Sequence, residues 1–327
     1  MEIPVLVGPE ARPVRRASGI AGSFSRILSG DRLAYALVFT CAVCVILLTF
    51  LLAYELWANS ALSRAQFGWS FLFNSTWDPV AGKFGALPFI YGTVITTALG
   101  LLFAIPLGIG AAVFLAELAP PRISDLMTFF IELLAAVPSV IIGVVGIFVL
   151  IPILQKIVPV LKSVLGFLPI FSGPFYGVSI FSAGIVLGFM ILPFIISISR
   201  EVLLAVPRDL REAALALGAT RWESTWQVVI PVARTGIIGS IFLAMARALG
   251  ETMAVTMVIG NSPKIMASLL APGYSIASVI ANEFTEATSD LYLSALIELG
   301  LVLFCLTIVI NGAARLLIMM TTARGSK

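Results

Sequence analysis

The sequence predicts an all-α integral membrane protein with six membrane-spanning helices. Three observations carry that expectation. Of its 327 residues 60% are hydrophobic and only 11% are charged, too few charges to clothe a soluble surface. Several apolar runs reach the roughly 20 residues that a helix needs to cross the hydrocarbon core. The basic residues also gather in alternate inter-span segments, as expected of a chain that crosses a membrane repeatedly.

The spans are expected at about 34–57, 89–117, 128–154, 178–199, 235–260 and 290–320. Residues 155–177 are apolar but carry Pro159, Pro169, Gly173 and Pro174, which predicts a re-entrant or surface-packed loop. Residues 1–32 are polar, hold five arginines and lack an early apolar core. They read as a cytoplasmic tail, disordered over 1–20, rather than a signal peptide. A short interfacial helix is expected at Ile20–Leu33. The organisation is then a tail over 1–32, a first transmembrane helix over 33–58, a main helical body over 89–320 and a second cytoplasmic tail over 321–327.

Direction follows from the arginines and lysines. With the N-terminus inside, the inner side holds Arg12, Arg15, Arg16, Arg26, Arg32, Arg122, Arg200, Arg208, Arg211, Arg221, Arg234, Arg315, Arg324 and Lys327. The outer side holds Arg64, Lys83, Lys156, Lys162 and Lys264, and Arg247 falls within a span. Fourteen against five places both termini in the cytoplasm.

Within the spans, Gly184 and Gly188 form a GxxxG, and Gly143 and Gly146 lie close to one face, allowing backbones to approach. Pro106, Pro138, Pro152 and Pro193 are expected to kink their helices. The chain contains no histidine, which excludes histidine-based catalysis and histidine metal sites. Cys41, Cys44 and Cys305 all sit in apolar runs, so Cys41-x-x-Cys44 reads as two small residues on one helix face, not as a zinc or redox motif.

The most informative stretch runs from Arg208 to Arg234, RDLREAALALGATRWESTWQVVIPVAR. Pro207 is suited to start a helix. Leu210, Ala213, Ala214 and Leu217 share a face at helical spacing, and Gly218 is a natural stop. Thr220 followed by Glu223 forms a capping box for a second short helix. Trp222 and Trp226, one turn apart, give that helix an apolar edge, and Pro231 closes the unit. An amphipathic loop lying on the bilayer would also fit these residues taken singly.

Glu212-Ala213-Ala214, Gly218, nine intervening residues and then Val228-Val229-Ile230-Pro231 resemble the EAA signature of ABC importer permeases. Val228 and Ile230 stand where that family carries isoleucine and leucine. The resemblance implies that this loop, 207–231, is a coupling helix docking into a groove of a cytoplasmic ATPase. The phosphate-cradling string G-x-x-x-x-G-K-[ST] does not occur in the chain, so the energy source is expected on a partner.

The fifth span carries Arg247 and Glu251 near its middle. A charge at the bilayer centre costs roughly 2.5–3.5 kcal/mol on insertion scales. Their i,i+4 spacing predicts that the two side chains pair on one face. The pair either locks helices together or lines a translocation path, where an arginine fork would meet an oxyanion and the glutamate would temper its affinity. Thr252 and Thr256 add hydroxyls. Glu132 and Glu298, each about two turns into a span, are expected to serve packing or snorkelling.

The string RALGETMAVTMVIGN, Arg247 to Asn261, together with Val137–Leu150, resembles the PstC-type permeases of phosphate importers. That resemblance spans about 35–320. It implies a five-helix type I ABC importer permease (MetI-like) core over 89–320 plus an N-terminal helix, and it implies that Arg247 and Glu251 belong to the phosphate path. It further implies a second permease subunit (PstA type), a dimer of ATPase subunits (PstB type) that holds ATP and magnesium, and an extracytoplasmic phosphate-binding protein. No cofactor is expected on this chain itself. Cargo could also be molybdate, sulfate or phosphonate. A stand-alone secondary transporter would need inverted halves, which the sequence does not display, and a membrane enzyme would need chemistry that it lacks. The 59–88 and 262–289 loops are expected outside, facing the binding protein. Asn74 opens an Asn-Ser-Thr triplet to which no role is given.

Overall fold

In the computed structural model, residues 30–324 are described, and among them there is no β-strand. Residues 1–29 of the tail expected over 1–32, most of the expected interfacial helix and the last three residues lie outside the described residues. Six helices are long and apolar enough to cross a bilayer: Ala34–Asn59, Leu87–Leu118, Ser139–Val164, Ile180–Leu204, Arg221–Leu249 and Asp290–Leu316. The protein is therefore a multi-pass membrane protein.

The chain divides into two compact units, with the boundary between Tyr54 and Glu55. The described part of the first is the opening stretch of helix α1 (Gly30–Asn59). Cys41 and Cys44 are exposed, free thiols on it. The second unit contains the rest: α2 (Ala61–Phe67), α3 (Ser70–Phe73), α4 (Leu87–Val113), α5 (Pro121–Ala135), α6 (Ser139–Val145), α7 (Ile151–Leu165), α8 (Ile180–Leu204), α9 (Arg208–Ala216), α10 (Arg221–Ser224), α11 (Ile230–Leu249), α12 (Met253–Ile259), α13 (Ile276–Glu283) and α14 (Asp290–Arg324).

The core of this unit forms around α8, whose Leu187, Ile191 and Ile195 are fully shielded. Its most extensive partner is α4. A methyl group on Gly188 would sit 3.0 Å from the Gly100 carbonyl oxygen, and one on Gly100 would sit 3.2 Å from the Gly184 oxygen. The expected GxxxG thus works as a seam against Gly100, where only hydrogen fits between two backbones.

Three spans depart most from their expected limits. The third was expected at 128–154, but α5 ends at Ala135 and a new helix starts at Ser139, because Pro138 disfavours the α conformation at Val137. The span then continues as α7 to Leu165, through the stretch expected to be a loop. Pro159 sits inside that helix and removes one backbone bond. Leu154 and Val158, buried against Leu270, hold the helix regardless. The fifth helix ends at Leu249 instead of reaching 260, and α14 runs to Arg324, past the expected start of the second tail.

At the end of the unit away from α9, the 59–88 and 262–289 segments lock together. The Trp77 indole N–H and the Tyr292 hydroxyl both donate to Glu283 Oε2, at 2.8 and 2.6 Å. Phe84, Phe89 and Tyr274 pack around them. Burial pushes the Tyr274 hydroxyl up to about 12.

Candidate coupling surface and translocation path

The Arg208–Arg234 stretch folds into the two expected short helices. Pro207 stands just before α9 and Arg208 opens it, one position later than a proline start implies. Gly218 takes φ +89, in the left-handed region. Its N–H donates to the Leu215 carbonyl, and the Ala219 N–H donates to the Ala214 carbonyl, the two bonds of a Schellman stop. Thr220 and Glu223 form the capping box in full: Glu223 N–H donates to Thr220 Oγ1 at 3.3 Å and Thr220 N–H to Glu223 Oε2 at 2.8 Å. Pro231 does not close the unit. It lies in the first turn of α11, directly after a π-helical turn, Thr225–Val229.

The expected apolar face of α9 is not buried. Ala214 alone on this helix is buried, whereas Ala213, Leu210, Leu215 and the following Leu217 are exposed. Trp222 and Trp226 are half exposed and meet edge to face with ring centroids 5.7 Å apart. Glu212 is exposed and lines an open pocket with Ala116, Glu117, Leu204, Arg208 and Arg211.

What holds α9 to the bundle is a contact that spacing arguments missed. Arg211, 19% exposed, pairs with Glu117, 10% exposed, with Nη2 2.8 Å from Oε1. Glu117 lies in a π-helical turn, Phe114–Leu118, that ends the second span. The available signal was an acid at the end of one span and a basic residue in a neighbouring loop, but nothing in the linear sequence pairs them.

The second group of residues lies where α11 gives way to α12. The helix breaks over Gly250–Thr252, so Arg247 and Glu251 are not an i,i+4 pair. Arg247 is in the last turn of α11 and makes no ion pair among the described residues. Its guanidinium carbon stands 4.4 Å from the centroid of the Phe194 ring on α8. Glu251 Oε1 instead accepts from the Ala254 N–H at 3.2 Å, capping the first turn of α12. Thr252 Oγ1 donates to the Gly250 carbonyl at 3.3 Å, and Thr256 Oγ1 to the Thr252 carbonyl at 2.7 Å. The break was legible as Gly250, a residue that weakens a helix interior. Phe194 carried no polar signal and was missed.

The remaining acids separate. Glu132 is exposed on α5. Glu298 is buried on α14, with Oε2 left without a partner among the described residues. Neither pairs with a basic residue there.

A bundle of membrane-crossing helices that presents a tightly capped helix pair at one end, beside a broken helix carrying an arginine, defines a membrane permease. The family of binding-protein-dependent transport system inner membrane components matches residues 104–318, and the chain belongs to it. Curated relatives extend the likeness. The phosphate transport system permease protein PstC of Mesorhizobium japonicum is 47% identical over 96% of this chain and 98% of its own length. The PstC protein of Pasteurella multocida is 49% identical over 79% of this chain and 82% of its own. A probable PstC protein of the archaeon Methanocaldococcus jannaschii is 37% identical over 83% and 88%.

Solved structures share the fold. A chain of a bacterial alginate ABC transporter aligns with TM-score 0.56 at 16% identity, covering 88% of this chain and 95% of that one. One from the inward-facing MetNI methionine transporter aligns with TM-score 0.53 at 16% identity, over 71% and 93%. The ABC importer permease fold expected for the core is the fold observed.

Proposed function

We propose that this chain is the transmembrane permease subunit of an ATP-driven importer that moves inorganic phosphate into the cytoplasm by alternating access. The observation that carries the reading is the α9–α10 unit, which is rigidly capped and bears uncovered leucines and tryptophans. A membrane-facing loop has no use for a stop motif and a capping box back to back, whereas a docking element does. Relatives named as phosphate transport permeases support the cargo. No observation favours molybdate, sulfate or phosphonate.

In this reading Glu212, Ala213, Ala214, Gly218 and Pro231 shape the surface that meets a dimer of ATPase subunits of the PstB type. Those subunits hold ATP and magnesium, and this chain binds no cofactor and catalyses no reaction. A second permease subunit of the PstA type completes the bundle. An extracytoplasmic phosphate-binding protein delivers cargo to the 59–88 and 262–289 end. Both termini face the cytoplasm, as does α9. Arg247, Glu251, Thr252 and Thr256 line the path. The guanidinium on Phe194 offers donors that no carboxylate occupies among the described residues, and Glu251, two residues before the start of α12, supplies the opposing charge that lets an anion leave.

The test is reconstitution. The permease is co-purified with its ATPase, placed in liposomes with the binding protein, and followed for uptake of labelled phosphate. ATP-dependent uptake that excess unlabelled phosphate abolishes and sulfate leaves intact is the expected result. Uptake without an ATPase, or equal competition by sulfate, would overturn the class or the cargo respectively.

A further inference from the structure

Helix α9 has an unusual attachment. Its leucines face outward, and apolar packing holds it through Ala214 alone. Its polar anchorage to the second span passes through one guanidinium. Arg211 Nη2 donates to Glu117 Oε1 at 2.8 Å, and Nε donates to both Glu117 oxygens at 3.2 Å. Nη2 also donates to the Leu203 carbonyl at 2.7 Å, and Nη1 donates to the Val206 carbonyl. Three elements therefore meet at a single side chain. Helix α9 carries it, the π-helical turn ending the second span supplies the carboxylate, and the end of α8 with the turn after it supplies two carbonyls.

A shielded ion pair of this kind adds little net stability, because desolvation offsets most of the attraction. What it fixes is geometry: the planar fork of an arginine matches a carboxylate and two carbonyls in one orientation. Apolar burial on α9 is confined to Ala214, so packing alone fixes its orientation weakly. Resting on the importer reading above, we propose that the Arg211–Glu117 pair is the joint that carries movement of α9 into the second and fourth spans. Both residues are positioning residues. Without the joint, α9 still docks on an ATPase, but its displacement is not passed to α4 and α8, and ATP is hydrolysed with little uptake.

The experiment uses the whole complex in proteoliposomes and reads phosphate taken up per ATP hydrolysed, per assembled complex. Arg211→Lys keeps the charge and loses the fork, and Glu117→Gln keeps the shape and loses the charge. For both, ATPase co-purifies at wild-type yield and hydrolysis persists, while the ratio falls about tenfold, in the range of ordinary coupling energies. The double variant is no worse than either single one. A wild-type ratio in either variant overturns the joint. So does a loss of assembled complex with an unchanged ratio, which describes a brace and not a transmitter. Should Glu117→Gln fail to assemble, Glu117→Asp replaces it, with a lowered ratio supporting the joint and a wild-type ratio overturning it. A wild-type complex that shows no ATP-dependent uptake overturns the importer reading, and the joint with it.

Discussion

Arg247 shows how an intramembrane charge can be held without being neutralised. A charge at the bilayer centre costs roughly 2.5–3.5 kcal/mol on insertion scales, and Arg247 lies in the last turn of its span. Its stack on Phe194 returns about 0.5–2 kcal/mol. In the function proposed above, an anionic cargo would supply the rest. The spacing of Arg247 and Glu251 implied a closed pair, and that inference rested on an unbroken helix. Gly250 breaks it, and Glu251 turns to the backbone of α12. Arg247→Lys retains charge but loses the planar fork and the stack. Phosphate uptake by the assembled complex should fall at least about tenfold, equivalent to the loss of roughly one charge-assisted hydrogen bond. Uptake at the wild-type rate would place Arg247 outside the path. At the opposite end of the unit, Tyr274 gives a pH signature. Its hydroxyl accepts from Asn282 Nδ2, and burial raises it to about 12. The neutral form is the favoured one. The stability it contributes is therefore whole below pH 10 and is lost as pH rises through about 12. The difference in tyrosinate absorbance between wild type and Tyr274→Phe should develop near pH 12, and a transition near 10 would contradict the burial argument.

At the scale of elements, three π-helical turns occur among the described residues, at Phe114–Leu118, Gly146–Leu150 and Thr225–Val229. Each is followed two residues later by a proline, Pro120, Pro152 or Pro231. The association has a physical basis. Where the helix runs on through the proline, at Pro152 and Pro231, the ring crowds the carbonyl four residues before it and a wider turn moves that carbonyl aside, whereas Pro120 stands outside the helix in extended backbone. The prolines were visible in the sequence, but Pro152 was expected to kink its helix and Pro231 to close the loop unit, because a period of 3.6 does not reveal a widened turn. The same limit displaced the third span. Apolar content continues from 128 to 165 across Pro138, and hydropathy alone does not say which side of the proline crosses the membrane. The caps of α9 and α10 were fully legible, since their chemistry is local. They yield a paired prediction. A methyl group at Gly218 would meet nothing within 4 Å, so Gly218→Ala costs only the left-handed backbone, about 1–2 kcal/mol. Gly218→Asn should recover part of that, since asparagine tolerates this region. Thermal unfolding of the purified permease, followed by exchange of α9 amides, tests the order Gly, Asn, Ala. Equal protection in all three would show that the Schellman stop contributes nothing.

The whole molecule has two differently built ends. One carries Arg200, Arg208, Arg211 and Arg221 around the α9–α10 unit, and the other carries Lys83, Lys156 and Lys264 with the aromatic cluster of Trp77, Phe84 and Tyr292. Charge placement was legible without coordinates because it depends only on counting residues between spans. The contact of the 59–88 and 262–289 segments was not, because it pairs residues about 200 positions apart, as with Trp77 and Glu283. The positive-inside bias makes orientation a direct prediction. Leu217, next to the coupling stop, and Val80, in the segment between the first two spans, are 90% and 99% exposed. The natural thiols Cys41, Cys44 and Cys305 all lie within spans and can be replaced by alanine to give a silent background. In that background Val80→Cys should react with a membrane-impermeant maleimide on cells whose outer barriers are opened but whose inner membrane is intact. Leu217→Cys should react only after that membrane is permeabilised. The reverse pattern would invert the topology and put α9 out of reach of any cytoplasmic ATPase. Labelling of Leu217→Cys that is blocked when the ATPase is co-expressed, with Val80→Cys unaffected, would place the partner on the surface where the leucines and tryptophans stand uncovered.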